Sequence, residues 1–186
     1  MKKGFCKVCG MAINEKNFAI NNNALPEVNS EEHLLYCPFC GAHKRYFCED
    51  RDEIYTTVGV KLTDEELKIL DHATKLEIFN GDFYMEASRR AVKEENKLMF
   101  KELGNIEYIH AKVHMKIAGI KEKPELRKID YSRLKNDEDF IREANTREKH
   151  AVSFYNKGVV NSENSIVKEV LKAFMEIEED HIHMTE

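Results

Sequence analysis

The feature that most constrains this chain is a Glu-x-x-His pair that occurs twice, each time with a lone glutamate 30 residues before it. All six residues lie in stretches whose apolar residues recur at helical spacing, and residues three apart share one face of a helix. Two such pairs, with one glutamate from each of two further helices, are the ligand set of a dinuclear carboxylate centre in a four-helix bundle. The predicted ligands, which are also the candidate catalytic residues, are Glu77, Glu107, His110, Glu148, Glu178 and His181.

An internal repeat with an offset of 71 residues supports this prediction. The offset superposes Glu77 on Glu148 and the first Glu-x-x-His pair on the second. It also superposes Tyr84 on Tyr155, and each tyrosine lies two turns beyond a lone glutamate on the same helical face. We interpret Tyr84 and Tyr155 as further candidate catalytic residues that hydrogen-bond ligands or donate protons, with plain core aromatic residues as the alternative.

The helical pattern begins at Thr63-Asp-Glu-Glu66, which has the form of a capping box. We predict a third helix that ends at Gly158 and a fourth that Ser162 caps. The charged stretch 120–136 is interpreted as one long crossover connection. The predicted helices cover about 63–95, 97–119, 137–158 and 163–184. The fold class is therefore mostly α, with a small metal-binding β domain at residues 1–52, a linker at 53–62 and the four-helix bundle at 63–186.

The glutamates lie on the core faces of their helices. Ionised carboxylates in an apolar core would cost several kcal/mol each if they had no partner. Protonation is one way to remove that charge, and two divalent cations offset it better. Glutamate with imidazole suits iron or manganese. We expect Glu107 and Glu178 to bridge two ions, and Glu77 and Glu148 to be terminal ligands.

The five cysteines all lie in the first 48 residues, and four of them form two Cys-x-x-Cys-Gly knuckles. In a chain that begins without an apolar signal segment, this pattern indicates a metal site more than disulfides. Four thiolates suit zinc, which would be structural, or one iron, which would carry one electron. The predicted ligands are Cys6, Cys9, Cys37 and Cys40. We assign no role to the fifth thiol, Cys48.

Charge and hydropathy exclude several classes of function. The net charge is −5 with no basic stripe, which argues against a nucleic-acid surface. No apolar run approaches the roughly 20 residues of a membrane-spanning helix, and the first residues lack the apolar core of a secretory signal. We therefore expect a cytoplasmic protein that contacts neither nucleic acid nor membrane.

Two stretches of the chain resemble a known family. Cys6-Lys-Val-Cys9-Gly and Tyr36-Cys-Pro-Phe-Cys40-Gly-Ala-His-Lys resemble the knuckles of rubredoxins. The repeated motifs Glu-x6-Tyr and Glu-x2-His within 63–186 resemble the ferritin-like domain of rubrerythrins. The order, with the rubredoxin-like or zinc-ribbon-like β domain first, is similar to that of the "reverse" rubrerythrins.

The resemblance implies a peroxidase-type oxidoreductase for defence against oxidative stress. Rubrerythrins reduce hydrogen peroxide at a di-iron site, and a tetrathiolate iron returns the electrons. It also implies an electron-donor reductase as partner and a homodimer, in which one subunit's thiolate centre lies near the other's di-iron site. The chain departs from the family at Ala151, where many rubrerythrins have an extra glutamate, and at Met11, where an aromatic residue is usual.

Two other functions remain open at this point. One is ferroxidase-type iron handling with dioxygen as oxidant. The other is a non-catalytic metal-binding protein with zinc in the thiolate site. Manganese or a mixed pair of metals also remains open for the bundle.

His114 lies one turn past His110 with no histidine at the repeat position, and we expect it to fill the end of the bundle.

Overall fold

The computed structural model describes residues 4–56 and 59–186. The described residues form a bundle of four α-helices after a small β unit, which confirms the predicted mostly helical architecture. The helices are α1 (Asp64–Arg90), α2 (Glu94–Ala118), α3 (Asp137–Asn161) and α4 (Ser165–Met184). The strands are β1 (Gly4–Cys6), β2 (Ala12–Ile13) and β3 (Phe47–Cys48), and they form an antiparallel sheet in the order β2-β1-β3. No described helix is long and apolar enough to cross a membrane.

The helix that begins at the predicted capping box does so for the expected reason. The Thr63 hydroxyl accepts a hydrogen bond from the Glu66 backbone N–H at 3.2 Å, and the Glu66 carboxylate accepts one from the Thr63 backbone N–H at 2.9 Å. Two backbone donors at the start of α1 are thereby satisfied. The Asn80-Gly81 pair, which weakens helix propensity, does not interrupt α1.

The end of α3 differs from the prediction, because the helix continues past Gly158 to Asn161. A Cβ atom at Gly158 would lie 3.1 Å from Leu171 Cδ1 and 3.3 Å from Ile69 Cγ2. The glycine therefore allows close packing against two other helices and does not mark a helix end.

The residue that caps α4 is Asn164, so the prediction that Ser162 caps this helix is wrong. The Asn164 side chain accepts hydrogen bonds from the next turn, whereas the Ser162 hydroxyl donates to Gly158 O at 2.9 Å and closes α3. Ser162 is buried, so its hydroxyl needs this backbone acceptor.

The β unit packs on the bundle, and the two share one core. Buried residues of the knuckles, such as Cys37 and Ala42, belong to the same cluster as Leu70 and Phe174 of the helices. The Tyr46 hydroxyl also donates a hydrogen bond to Glu176 of α4 at 2.9 Å. The β unit is therefore fixed on the bundle by apolar packing as well as by polar contacts.

The segment between the knuckles reaches α2. The backbone N–H of Asn23 donates to the Glu102 carboxylate at 2.6 Å, and Asn105 donates to the side chain of Asn21 at 3.2 Å. Within the predicted linker 53–62, Ile54 is buried, and Tyr55 donates its backbone N–H to Lys7 O at 2.9 Å. Residues 57 and 58 of that linker, and residues 1–3 of the predicted first domain, lie outside the described residues.

Candidate metal centres

The four cysteines of the two knuckles converge on one point. Their Sγ atoms all lie within 4.8 Å of one another. The Sγ atoms of Cys6 and Cys40 are 3.7 Å apart, and those of Cys9 and Cys37 are also 3.7 Å apart. A tetrahedral ion with metal–sulfur bonds of about 2.3 Å would separate its sulfurs by about 3.8 Å. Both of these separations therefore match a tetrahedral metal site, and the remaining pairs of Sγ atoms lie within 4.8 Å.

The two knuckles have the same backbone geometry, which explains the glycine in each. Gly10 and Gly41 have φ angles of 77° and 75°, a conformation that L-residues with a side chain rarely adopt. Their backbone N–H groups donate to Cys6 O at 2.8 Å and to Cys37 O at 2.9 Å. Each tight turn thereby places two thiols on the same side of its loop.

The thiols differ in solvent exposure, and those of Cys6, Cys9 and Cys40 differ in the direction of their pKa shifts. Cys6, Cys37 and Cys40 are buried, and Cys9 is partly exposed. Burial raises the pKa of the Cys9 and Cys40 thiols. Burial acts in the same direction on Cys6, but hydrogen bonds from the neighbouring thiols outweigh it and lower its pKa well below the usual value. Cys48 is outside the cluster, and its thiol donates to Phe5 O at 3.7 Å.

The six predicted bundle ligands converge in the middle of the four helices. They form two overlapping groups that could each hold a metal ion, and Glu107 and Glu178 belong to both groups. Glu77 and His110 belong to the first group only, and every one of the six side chains is almost fully buried. The second group is completed by Glu148 and His181. This arrangement is the one expected for two bridging and two terminal carboxylates.

Both histidines direct Nδ1 at the shared carboxylates. His110 Nδ1 lies 3.4 Å from Glu178 Oε1 and 3.6 Å from Glu107 Oε2. His181 Nδ1 lies 3.0 Å from Glu178 Oε2 and 3.3 Å from Glu107 Oε1. The two rings are nearly parallel, with an interplanar angle of 14° and centroids 6.2 Å apart. Each histidine therefore approaches a different oxygen of each shared carboxylate.

Several atoms that would face the ions have no hydrogen-bond partner among the described residues. They include Glu77 Oε2, both oxygens of Glu107, Glu148 Oε2, Glu178 Oε1 and His110 Nδ1. Buried polar atoms without partners are rare in folded proteins and call for an ion or water. The donor set of carboxylates and imidazoles fits divalent iron or manganese.

The electrostatics of the metal-free ligands are consistent with that fit. Burial and the nearby Glu107 charge raise the pKa of Glu77, and burial and the Glu178 charge raise that of Glu148. Burial opposes ionisation of Glu107 too, but the close polar side chains of Glu77, His110 and His181 outweigh it and lower its pKa. Without metal, protons must therefore balance charge that two divalent cations would balance when bound.

The tyrosines do contact ligands, but each contacts the ligand of the opposite repeat. The Tyr84 hydroxyl donates to Glu148 Oε1, and the Tyr155 hydroxyl donates to Glu77 Oε1. Helices α1 and α3 run antiparallel here, so a residue two turns beyond a ligand on one helix lies opposite the ligand on the other. Burial and the charge of Glu148 raise the pKa of Tyr84, which keeps its phenol protonated.

His114 is a residue whose role the sequence pattern missed. It is fully buried, and its Nε2 lies 2.9 Å from the Tyr155 hydroxyl. Burial among apolar groups lowers the pKa of His114 to about 3, so the ring is neutral. Its position one turn past His110 on the same face was the available signal, but its partner lies on another helix.

The two candidate centres are joined by a direct hydrogen bond. His110 Nε2 lies 2.9 Å from the backbone oxygen of Cys40. His110 thus offers Nδ1 to the bundle site and Nε2–H to a residue that is itself a predicted thiolate ligand. No sequence pattern marks a backbone carbonyl, so this contact could not be predicted from residue types.

Comparison of the chain with models of known protein families, with curated proteins and with solved structures gives no match in any of the three.

Proposed function

We propose that this chain is a rubrerythrin-like peroxide reductase with a ferritin-like di-iron bundle and a rubredoxin-like iron centre. The reaction consumes hydrogen peroxide, two electrons and two protons, and releases two molecules of water. When bound, two ferrous ions in the bundle would supply both electrons together, and the thiolate iron would return them one at a time.

The observation that carries this proposal is the hydrogen bond between His110 Nε2 and Cys40 O at 2.9 Å. It supplies a short covalent and hydrogen-bonded route from a thiolate ligand to a ligand of the bundle site. Cys9 is the partly exposed thiol of the cluster, whereas Cys40 is buried against the bundle. Electrons from a reductase would therefore arrive on the Cys9 side and leave on the Cys40 side.

The relay in this proposal lies within one chain, since both ends of the contact belong to the same chain. The resemblance implied a relay between two subunits, and a dimer is not required for the one proposed here. With zinc in the thiolate site, the same hydrogen bond would only orient His110 for its ion, so the relay requires iron there.

Protons for the departing oxygen atoms are available at the site. Tyr84 and Tyr155 each hold a phenolic proton against a carboxylate ligand, Glu148 Oε1 and Glu77 Oε1 respectively. Both side chains are fully buried, so bulk water does not compete for these hydrogen bonds. The tyrosines are therefore positioned to donate protons next to the ligands.

The test is a single-turnover experiment on the iron-loaded, chemically reduced protein. We would mix it anaerobically with one equivalent of hydrogen peroxide, or with dioxygen in a parallel run, and follow visible absorption. We expect faster oxidation by peroxide, followed by the red ferric-thiolate absorption as the thiolate iron gives up its electron.

The matched control holds zinc in the thiolate site and iron in the bundle. We expect this form to react once with peroxide and then to stop, even with reductant present. Faster oxidation by dioxygen would favour ferroxidase chemistry instead. Sustained turnover of the zinc form would overturn the relay, and absence of bundle iron after loading would favour the non-catalytic alternative.

A further inference from the structure

The two halves of the dinuclear site are related by the 71-residue repeat, but their surroundings are not. We call Glu77 with His110 the first position, and Glu148 with His181 the second position. The shared carboxylates Glu107 and Glu178 belong equally to both. Any inequality between the positions must therefore come from the groups that hold their terminal ligands.

The first difference concerns the histidines. His110 Nε2 is fixed by Cys40 O at 2.9 Å, so its proton lies on Nε2 and its Nδ1 lone pair is free for an ion. His181 Nε2 is equally buried but has no hydrogen-bond partner among the described residues. A ligating histidine whose other nitrogen is held has its tautomer and ring orientation set in advance. Within the part of the chain that the structure describes, only the first position has this support.

The second difference concerns the tyrosines. Tyr155 donates to Glu77 and also contacts His114 Nε2 at 2.9 Å. Since the phenolic proton is committed to Glu77, His114 must donate its Nε2 proton to the Tyr155 oxygen. The alternative tautomer would leave a buried Nδ1–H without an acceptor among the described residues, because Nδ1 has no partner there.

The second position lacks a counterpart of His114. The repeat places Thr185 there, and its hydroxyl donates to His181 O at 2.9 Å within its own helix. Tyr84, which holds Glu148, has only this carboxylate as a polar partner in the described residues and otherwise packs on Phe83 and Phe100. A chain of hydrogen bonds strengthens its members, so Glu77 is held more firmly than Glu148.

Both differences favour the same half of the site. We propose that the two metal positions are unequal: the Glu77–His110 position binds its ion more tightly and first, and the Glu148–His181 position holds the exchangeable ion. His114 acts as a positioning residue for Glu77 through Tyr155. This inference rests on the dinuclear centre of the proposed function and not on its peroxide chemistry.

The test isolates each position with a matched pair of variants. Glu148→Ala leaves the first position, and Glu77→Ala leaves the second. Each full-length protein, with one equivalent of zinc in the thiolate site, is titrated with Co²⁺ and followed by its visible absorption. We expect Co²⁺ to bind at least about 10-fold more tightly to Glu148→Ala, because outer ligand partners change metal affinity by about 10- to 100-fold.

The role of His114 is tested in the same two backgrounds. His114→Leu should weaken Co²⁺ binding about 10-fold in Glu148→Ala and leave Glu77→Ala unchanged. His114→Gln, whose amide can still donate to Tyr155, should restore most of the affinity. Thr185→Val, at the repeat position, is the control and should change neither. Helical circular dichroism checks that each variant is folded.

Three outcomes would overturn the inference. Equal Co²⁺ affinity in Glu148→Ala and Glu77→Ala, or tighter binding in Glu77→Ala, would show that the first position is not favoured. An equal effect of His114→Leu in both backgrounds would remove its positioning role. If the wild-type bundle binds no Co²⁺ at all, the dinuclear centre and the proposed function fail together, whereas two equal sites would leave the proposed function intact.

Discussion

At the residue scale, the shared carboxylates distinguish themselves from the terminal ones by geometry. Glu107 directs its two oxygens at different histidines, with Oε2 3.6 Å from His110 Nδ1 and Oε1 3.3 Å from His181 Nδ1. Of the two predicted ligand histidines, Glu77 approaches only His110, whose Nδ1 lies 3.9 Å from Glu77 Oε2. Glu107 is therefore placed to hold two ions at once, whereas Glu77 is placed to hold one.

We accordingly predict that Glu107→Ala weakens binding at both metal positions, whereas Glu77→Ala weakens one. The loss should be at least roughly 10-fold at each affected position, since even outer partners of ligands matter that much. Metal analysis after gel filtration should find close to no bundle iron in Glu107→Ala and about one ion in Glu77→Ala. Retention of two ions by Glu107→Ala would contradict the bridging assignment.

Gly41 is a second residue whose replacement gives a specific expectation. Its φ of 75° would strain any L-residue, and a Cβ atom there would lie 3.3 Å from Ile177 Cγ2. Gly119 has a nearly identical φ of 72°, but no atom of the described residues would lie within 4 Å of an added Cβ. The two glycines therefore separate backbone strain from crowding.

We predict that Gly119→Ala lowers the free energy of unfolding by about 1–2 kcal/mol, the usual cost of the left-handed conformation. Gly41→Ala should lower it further, because the second knuckle must also move away from α4. Urea unfolding of both variants measures the difference. Equal losses would mean that the contact with Ile177 is easily relieved.

At the element scale, two carboxylates join the ends of the helices in a symmetric way. Glu66, near the start of α1, accepts hydrogen bonds from the backbone N–H groups of Glu163 and Asn164 at 3.0 and 2.7 Å. Asp137, at the start of α3, accepts them from Val92 and Lys93 at 2.7 and 3.0 Å. All three pairs of residues are related by the 71-residue offset. Glu66 of α1 thus fixes the loop between α3 and α4, and Asp137 of α3 fixes the loop between α1 and α2.

Replacing either carboxylate should destabilise the bundle by a similar amount. Glu66→Ala or Asp137→Ala leaves two backbone donors of a tight loop without a partner, and each such donor costs roughly 1–3 kcal/mol. Each also removes a third hydrogen bond, from the Thr63 backbone N–H to Glu66 or from the Asn96 side chain to Asp137. The effects should add in the double variant, since the two sites are at different loops. Urea unfolding monitored by helical circular dichroism tests this, and a negligible loss in both single variants would contradict it.

The same carboxylates give a dependence on pH with a definite sign. Burial opposes their ionisation, but hydrogen bonds from backbone N–H groups outweigh it and lower the pKa of both Glu66 and Asp137. A carboxyl with a lowered pKa in the folded state stabilises the fold above its unfolded pKa, and that stability is lost as the pH falls through the folded pKa.

We therefore expect the difference in unfolding free energy between wild type and the Glu66→Gln/Asp137→Asn variant to be constant near neutral pH. It should shrink below about pH 4.5, where the unfolded carboxyls begin to bind protons. Measuring metal-free wild type and variant in parallel at each pH removes the contribution of the buried ligands, which both proteins share. A difference that grows as the pH falls would have the wrong sign.

Features of the fold and the site that follow from a periodic pattern along one helix could be predicted from the sequence. Features that depend on contacts between helices could not. Helical spacing places the Glu-x-x-His pairs on inward faces. The repeat offset relates Glu66 to Asp137, but only Glu66 belongs to a capping box, so the capping pattern does not indicate the role of Asp137. The exchange of tyrosine partners follows from the antiparallel register of α1 and α3, which no single helix encodes. Gly158 does not end α3 as predicted, because glycine occurs both at helix ends and where helices pack closely.

At the scale of the whole molecule, the two candidate centres belong to one packed body. The sequence suggests a separate metal domain, yet Cys6 and Cys37 lie in the same apolar cluster as Leu171 and Phe174 of the bundle. Tyr46 and Arg45 both contact Glu176 of α4. A metal ion bound by the four cysteines would therefore stabilise residues that also pack against α4.

This shared core predicts that the protein unfolds as a single cooperative unit. With iron in the thiolate site, thermal loss of the red thiolate absorption and of helical circular dichroism should have the same midpoint, since neither part keeps its core without the other. Cys37→Ser should lower the midpoint of the helices as well, because metal binding contributes to folding energy. Cys48→Ser, which removes a cysteine outside the cluster, is the control and should retain both metal and a single transition. If the colour were lost well below the temperature at which the helices melt, the β unit and the bundle would be independent domains, and the hydrogen bond between Cys40 and His110 would be too weak to couple their folding.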